Sequence, residues 1–324
     1  MQQQLFPFSD YWWLYAIFTG AVLGLLALDL GVFHRKPHQV TLREAAAWSA
    51  VWVSLALLFN LALYLYTLWI SPENARQVAL EFLSGYLVEY SLSVDNIFVF
   101  VLILGYFAVP LRYQHRVLFY GILGALVFRG TFIALGAVLM RFHWIVLVFG
   151  LFLIFTGINM AISSGEAVQP ERNFVIRTVR RLFPVTHELR DHHFFVKKDG
   201  KTWATPLLAA LLCLEVSDII FAIDSVPAIF ALTREPFIVF SSNTFAILGL
   251  RSLYFMLGGA VEKFHLLRYG LAAVLVFVGL KMVWLDQWFG GKFPIGPSLI
   301  LIGSMLAISV CLSLMFPKRH PEQS

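Results

Sequence analysis

Carboxylate side chains stand inside long apolar stretches of this chain, where an ionised group is costly. An Asp at the centre of a membrane helix costs roughly 2.5–3.5 kcal/mol on the lenient insertion scale, so a binding site is the default interpretation. Four strong candidates would together cost on the order of 10 kcal/mol unless they are paired or bind cations. The pattern therefore predicts a positively charged partner. The four candidates, and two further ones, are Glu89, Asp95, Asp218 and Asp224, then Glu215 and Asp29.

Two kinds of partner remain open. Arg129 and Arg251 follow Asp95 and Asp218 by one crossing, so buried ion pairs could simply hold the helices in register. A divalent cation bound by hard oxygen ligands is the other partner. Two arginines cannot neutralise every carboxylate, so we favour the cation, with the arginines as counterions or gating groups. Neutral ligands adjoin the acids: Ser93, Asn96, Ser217, Ser225, Ser242 and Asn243.

The spacing of Asp218 and Asp224 complicates a shared site. Six residues correspond to about 240° around a regular helix, so both side chains cannot face one ligand. Pro227 removes a backbone hydrogen bond, and it predicts a kink or an unwound turn around residues 222–225 that would turn Asp224 inward. Alternatively, Asp218 faces the ion while Asp224 meets an arginine or a proton path.

The composition identifies the class of protein that must position these acids. Hydrophobic residues make up 59% of the 324 residues and charged residues only 13%. A soluble enzyme, a disordered chain or a disulfide scaffold would not have this composition. We predict an all-α polytopic membrane protein, because helices satisfy their own backbone groups in lipid. The nine expected crossings are residues 11–33, 45–70, 79–107, 117–140, 144–162, 205–232, 237–261, 267–288 and 294–316.

Charge placement in the connections predicts the orientation. Lys and Arg are concentrated in one set of connections, which places the N-terminus outside and the C-terminus in the cytoplasm. The net charge of +5 therefore reflects topology and the lipid bilayer rather than nucleic acid. The connection 163–204 carries a basic amphipathic stretch, expected on the anionic inner leaflet, and a small hairpin at Asp199-Gly200.

Two stretches of the sequence repeat each other. Residues 129–136 parallel 251–258, and 157–160 parallel 279–282 with the same offset. Upstream, 95–98 parallels 218–221. Three crossings per copy would invert the second copy, which is a recurring plan of secondary transporters. The predicted segments are an N-terminal pair of helices, repeat A, the loop, inverted repeat B and a final helix with its tail: 1–78, 79–162, 163–204, 205–290 and 291–324.

Three long motifs, residues 89–100, 215–228 and 242–255, resemble the TerC family in its Alx-like branch. The resemblance covers about residues 10 to 316. It implies a bacterial inner-membrane protein of the LysE-type transporter superfamily, associated with manganese export. Carried over by motif, Asp95, Asn96, Asp218 and Asp224 form the expected acidic site, with Asp29 as a weaker addition.

From these observations we expect a secondary exporter of divalent cations, with Mn²⁺ as cargo, no permanently bound cofactor and possible proton coupling. No phosphate-binding Gly-x-x-x-x-Gly-Lys-Ser/Thr motif is present, and no enzyme is expected. The alternative is a membrane-embedded helper for assembly or metal loading of exported proteins, working through the basic loop. Oxygen ligands suit Mn²⁺, Ca²⁺ and Mg²⁺ alike, and the oligomeric state is not readable from the sequence.

Overall fold

The computed structural model of the protein describes residues 4–28, 40–140, 142–162, 193–198, 201–257, 264, 266–289 and 293–316. Within these ranges, nine helices are long and apolar enough to cross a membrane. They are α1 (Phe8–Leu28), α2 (Leu42–Ile70), α3 (Pro72–Tyr106), α4 (Leu111–Leu139), α5 (His143–Ile162), α6 (Pro206–Phe230), α7 (Pro236–Leu257), α8 (Leu267–Trp288) and α9 (Ile295–Met315). The protein is an integral multi-pass membrane protein, as the apolar runs predict.

Several helices begin at a proline, which is favourable at the first helical position because its missing N–H would be unpaired there anyway. Pro72 opens α3 and Pro206 opens α6. The helix α3 starts earlier than its apolar run, so the predicted segment boundary between residues 78 and 79 falls inside this helix. Elsewhere the helix ends differ from the predicted crossings by a few residues.

The helices differ strongly in burial. In the most apolar 18 residues of α7, 94% are buried, whereas only 17% are buried in the corresponding stretches of α1 and α2. Lipid-facing helices need no polar groups, but α7 carries the buried polar run Ser241, Ser242, Asn243 and Thr244. The polar chemistry of the chain is therefore directed towards the centre of the bundle.

Helix pairs define the centre. The helix α3 packs against α7, α4 packs against α6, and α5 packs against α8. Glycines permit the close α5–α8 crossing: a Cβ atom at Gly157 would lie 2.7 Å from the carbonyl oxygen of Ala272, and one at Gly279 would lie 2.6 Å from that of Gly150. Contacts between α3 and α6 and between α4 and α7 complete the packing.

The predicted hairpin is confirmed: strands β1 (Phe195–Lys198) and β2 (Lys201–Ala204) pair antiparallel, with Val196 opposite Trp203. The predicted unwinding at Pro227 is wrong. The helix α6 continues from Pro206 to Phe230, because a proline three residues before the helix end affects only its last turns. A π-helical turn, Lys281–Leu285, interrupts α8 instead.

Candidate functional site

A buried ion-pair cluster joins α3, α4 and α6. Arg129 of α4 donates from Nε and Nη2 to Asp218 Oδ2 and Oδ1 at 3.2 and 3.0 Å. Its Nη1 pairs with Glu89 of α3 and also donates to Ser225 Oγ at 3.4 Å. Glu89, Arg129 and Asp218 are 0%, 2% and 3% exposed. The planar guanidinium suits this two-pronged contact, which a lysine could not reproduce.

The cluster contains more acid than base. One guanidinium faces two carboxylates, and Glu89 Oε2 has no hydrogen-bond partner. A buried carboxylate without full compensation is expensive, because its hydration has been lost. The arginine therefore balances the cluster only in part.

A third carboxylate lies beside the cluster. Glu215 of α6 rests directly on Gly124 of α4, where a side chain larger than hydrogen would collide with both carboxylate oxygens. Its Oε2 is buried and has no hydrogen-bond partner. Because Gly124 has no side chain, the Glu215 carboxylate can lie directly against α4.

Asp224 is separated from this group. It is half-buried on α6 and its Oδ1 accepts a hydrogen bond from Thr156 of α5 at 3.5 Å. Asp218 instead faces Arg129 of α4. Because α6 stays helical at Pro227, the two carboxylates point to different neighbours, as the helix geometry alone requires. The expectation that Asp224 turns inward beside Asp218 is therefore not met.

The neutral candidates occupy varied surroundings. Ser93 donates to Glu89 O at 2.8 Å and Ser217 donates to Cys213 O at 2.8 Å, so both hydroxyls bond within their own helices. Asn96 is buried on α3. Asn243 of α7 is 1% exposed, and both polar atoms of its amide lack a hydrogen-bond partner. An amide without partners at this depth is unusual and calls for a physical reason.

A small cavity of about 20 Å³, enough for about one water molecule, adjoins the cluster. Asp218 and Arg251 supply its charged groups, and helices α3, α4, α6 and α7 all contribute to its wall. The remaining lining residues are Phe100, Leu118, Gly121, Ile122, Ala125, Leu214 and Leu250. The acidic cluster is therefore reachable from a space between the helices.

The described residues contain no group of three or more His, Cys, Asp or Glu that could hold a metal ion as they stand. Arg129 occupies the oxygens of Asp218 and Glu89, which explains why these acids do not form an open ligand set. Asp29 and the side chain of Asp95 lie outside the described residues. Cation binding by Asp218 and Glu89 would require Arg129 to release them.

Sequence reasoning missed three features of this region. It did not assign a particular acid to either arginine, and it gave Gly124 no role. In both cases the contacting residue is distant in the sequence. It also placed Lys281 inside an apolar run without a function. Lys281 is fully buried and donates from Nζ to the carbonyl oxygen of Ala231, at the end of α6, at 2.8 Å. A cation near a helix C-terminus is favourable, so Lys281 supports this end of α6.

Comparison with known proteins gives a consistent result. Residues 74–321 match the model of a family described as integral membrane protein TerC family. An uncharacterized membrane protein of Myxococcus xanthus is 52% identical over 310 residues, which are 95% of this chain and 94% of that protein. A protein of Escherichia coli (strain K12) named "Putative membrane-bound redox modulator Alx" is 44% identical over 309 residues, or 94% and 95% of the two chains. No solved structure matches this chain.

Proposed function

Because this chain belongs to the TerC family of integral membrane proteins, we propose that it is a secondary transporter that exports divalent cations, with Mn²⁺ as its cargo. The cargo binds to carboxylates buried between helices α3, α4 and α6. Asp95, Asn96 and Asp218 form the centre of the site, Glu89 and Glu215 lie beside it, and Asp224 serves a separate step.

The excess of acid over base in this region carries this proposal. Glu89 and Asp218 are buried against Arg129, and the half-buried Glu215 rests on Gly124 of the same helix. Arg251 lines the cavity beside Asp218, and the sequence adds Asp95 on α3. Four carboxyl groups then accompany two guanidinium groups, so the ionised cluster has a net negative charge that one divalent cation balances. The ligands on offer are oxygens, which suit Mn²⁺, Mg²⁺ and Ca²⁺.

We propose further that two inverted three-helix repeats, α3–α5 and α6–α8, build the transport path. The packing supports this arrangement, because exchanging the repeats turns the α3–α7 contact into the α6–α4 contact and leaves the α5–α8 contact unchanged. With the sequence offset of the repeats, the Gly157–Ala272 contact becomes the Gly279–Gly150 contact, and both are present. Transporters with such repeats bind cargo where the two copies meet.

In this proposal Arg129 acts as a tethered substitute for the cargo. It holds Asp218 and Glu89 while no metal is bound, and a cation arriving through the adjacent cavity displaces it. With the N-terminus outside, as the basic connections favour, the cavity lies in the cytoplasmic half of a bacterial inner membrane. Because carboxylates bind either protons or metal, exchange for protons is the simplest driving force.

The proposal is tested by the metal content of cells under a manganese load. Cells that carry Asp95→Asn or Asp218→Asn should accumulate manganese like cells without the protein, because an amide keeps the shape but loses the charge. Glu73→Gln is the matched control, since Glu73 is exposed on the same helix as Asp95. Normal manganese levels with both aspartate variants, at wild-type expression, would contradict the proposal.

A second candidate is a membrane-embedded helper for assembly or metal loading of exported proteins; the printed name of the Escherichia coli relative refers to redox modulation and to neither candidate. The two cysteines do not form a thiol pair for redox chemistry, because Cys213 is buried on α6 and Cys311 is exposed on α9, and both are free. The helper would work through its cytoplasmic loop. Deletion of residues 172–201 should therefore abolish the activity of a helper, whereas a transporter that is still expressed should keep substantial manganese flux.

A further inference from the structure

Asn243 is a buried polar residue that the bundle leaves without partners. Its side chain is 1% exposed, and neither the amide oxygen nor the amide nitrogen has a hydrogen-bond partner. Burial without a partner costs free energy, so such a group is expected to meet water or a ligand in another state of the protein. From this residue we infer where the outward-facing cavity of the transporter forms; the inference rests on the proposed transport function and its inverted repeats.

The existing cavity supplies the template. Gly121 and Ile122 of α4 line it, together with Asp218 and Arg251. The repeat offset that matches Arg129 with Arg251 also matches Gly121 with Asn243 and Ile122 with Thr244. The corresponding partners of Asp218 and Arg251 are Asp95 and Arg129. The repeat-related cavity would thus be lined by Asn243 and Thr244, with Asp95 and Arg129 in place of Asp218 and Arg251.

This second region lies in the other half of the membrane. The cavity joins Gly121 of α4 with Leu250 of α7, whereas Gly130 of α4 approaches Phe240 of α7. The two helices are therefore antiparallel, and Asn243 is about 10 Å from the level of Leu250 at 1.5 Å per residue. One cavity opens towards one membrane face and its counterpart towards the other.

The counterpart region is closed in this structure. Phe240 packs 3.7 Å from the Cβ position of Gly130, although the repeat-related residue Leu118 lines the open cavity. Arg129, which would line the counterpart, is instead folded onto Asp218 and Glu89. The ion pairs of Arg129 and the contact between Phe240 and Gly130 thus occupy the side on which Asn243 is buried.

Opening of this side would expose the Asn243 amide as a ligand for the cargo. When Arg129 releases its carboxylates and Phe240 leaves Gly130, the amide oxygen faces the outward cavity beside Asp95. A hydrated divalent cation accepts such neutral oxygen ligands. Asn243 is then the first neutral ligand on the way out, whereas its repeat counterpart Gly121 offers the inward cavity no side chain.

Cysteine labelling tests this assignment without any transport assay. In a background that carries Cys213→Ala and Cys311→Ala, Asn243→Cys should react with a membrane-impermeant maleimide applied to whole cells. Ser241→Cys is the matched control, because Ser241 is equally buried on the same helix but corresponds to Phe119, which does not line the cavity. We expect labelling of Asn243→Cys to be at least about tenfold faster than that of the control, since only the outward state exposes it.

Three further variants sharpen the result. Arg129→Lys keeps the charge but loses the two-pronged clamp on Asp218, so it should accelerate labelling of Asn243→Cys further. Gly121→Cys should react in inverted vesicles and not in whole cells. Thr244→Cys repeats the outward test should Asn243→Cys fail to accumulate.

The possible outcomes separate this inference from the proposed function. If Asn243→Cys and Thr244→Cys react no faster than Ser241→Cys, although the wild-type protein exports manganese, the outward cavity lies elsewhere and the inference is overturned. If Asn243→Cys is labelled from outside although the wild-type protein moves no manganese, the outward cavity is supported and the proposed cargo is wrong.

Discussion

Arg129 shows that an ion pair and a cation site can involve the same acids. Its guanidinium lies between Asp218 and Glu89 at the centre of the bundle. The two carboxylates share one positive group, and Glu215 adds another acid nearby. In the proposed mechanism the arginine compensates the charge of the buried acids between transport cycles, and the cargo then takes its place.

Loss of this guanidinium should destabilise the protein strongly. Arg129→Gln leaves two buried carboxylates uncompensated, and removal of one partner of a buried pair costs about 3–5 kcal/mol. Thermal unfolding of the purified protein in detergent measures the effect. Mn²⁺ should stabilise this variant more than the wild type, because the metal then has no competitor. A variant as stable as the wild type and indifferent to Mn²⁺ would contradict the role given to Arg129.

The contact between Gly124 and Glu215 leads to a second prediction. Gly124→Ala places a methyl group on the Glu215 carboxylate, which must move away; because this carboxylate ends a flexible side chain, the cost in stability is small and the change acts on the position of Glu215. Manganese export by cells should fall severalfold or more. Gly121→Ala is the matched control, because its methyl group would make only an ordinary contact, 3.9 Å from Leu211 Cδ1. Equal export by the two variants at equal expression would remove Glu215 from the site.

The charged residues of the buried ion-pair cluster could be named from the sequence, but their partners could not. Charged residues in apolar runs stand out, and this signal identified Glu89, Asp218 and Arg129. Which acid meets which arginine depends on how the helices pack: Arg129 lies in the first of the two proposed repeats, and its partner Asp218 lies in the second. Gly124 gave no signal at all, because the absence of a side chain matters only once a neighbour is known.

At the scale of elements, the α5–α8 crossing is the closest contact between the proposed repeats. Backbone meets backbone there at Gly150 and Gly279, so neither helix can move aside for a side chain. Gly279→Ala should therefore lower the melting temperature of the purified protein markedly, by an overpacking cost of about 1–3 kcal/mol.

Gly24→Ala in α1 is the control for that substitution. No atom lies within 4 Å of its Cβ position, so the change should be neutral or slightly stabilising, since Ala favours helices over Gly by about 0.8–1.0 kcal/mol. A Gly279→Ala protein that melts like the wild type would show that the crossing is looser than described.

Helices themselves were predictable because a bilayer demands long apolar runs, and all nine runs correspond to helices in the described part of the chain. The hairpin followed from Asp199-Gly200, since that pair suits a tight turn. Finer backbone features were not predictable. Pro227 was expected to open α6 and does not, whereas the π-helical turn at Lys281–Leu285 arises where Lys281 reaches the end of α6.

At the scale of the whole molecule, burial is distributed very unevenly among the helices. The outer helices α1 and α2 are mostly exposed, while α7, the most polar of the nine, is almost wholly enclosed. A protein that needed only to remain in the membrane would gain nothing from this arrangement, because buried polar groups are costly in lipid. The buried polar run of α7 and the charged cluster therefore call for a function inside the bundle, and the proposed transport of cations supplies one.

Flux of Mn²⁺ into liposomes reconstituted with the purified protein tests the central claim most directly. The wild type and Glu73→Gln should move Mn²⁺ down an imposed gradient, and Asp218→Asn should reduce the flux to the level of empty liposomes. Wild-type liposomes that move no divalent cation, or an Asp218→Asn protein that transports as fast as the wild type, would contradict the account.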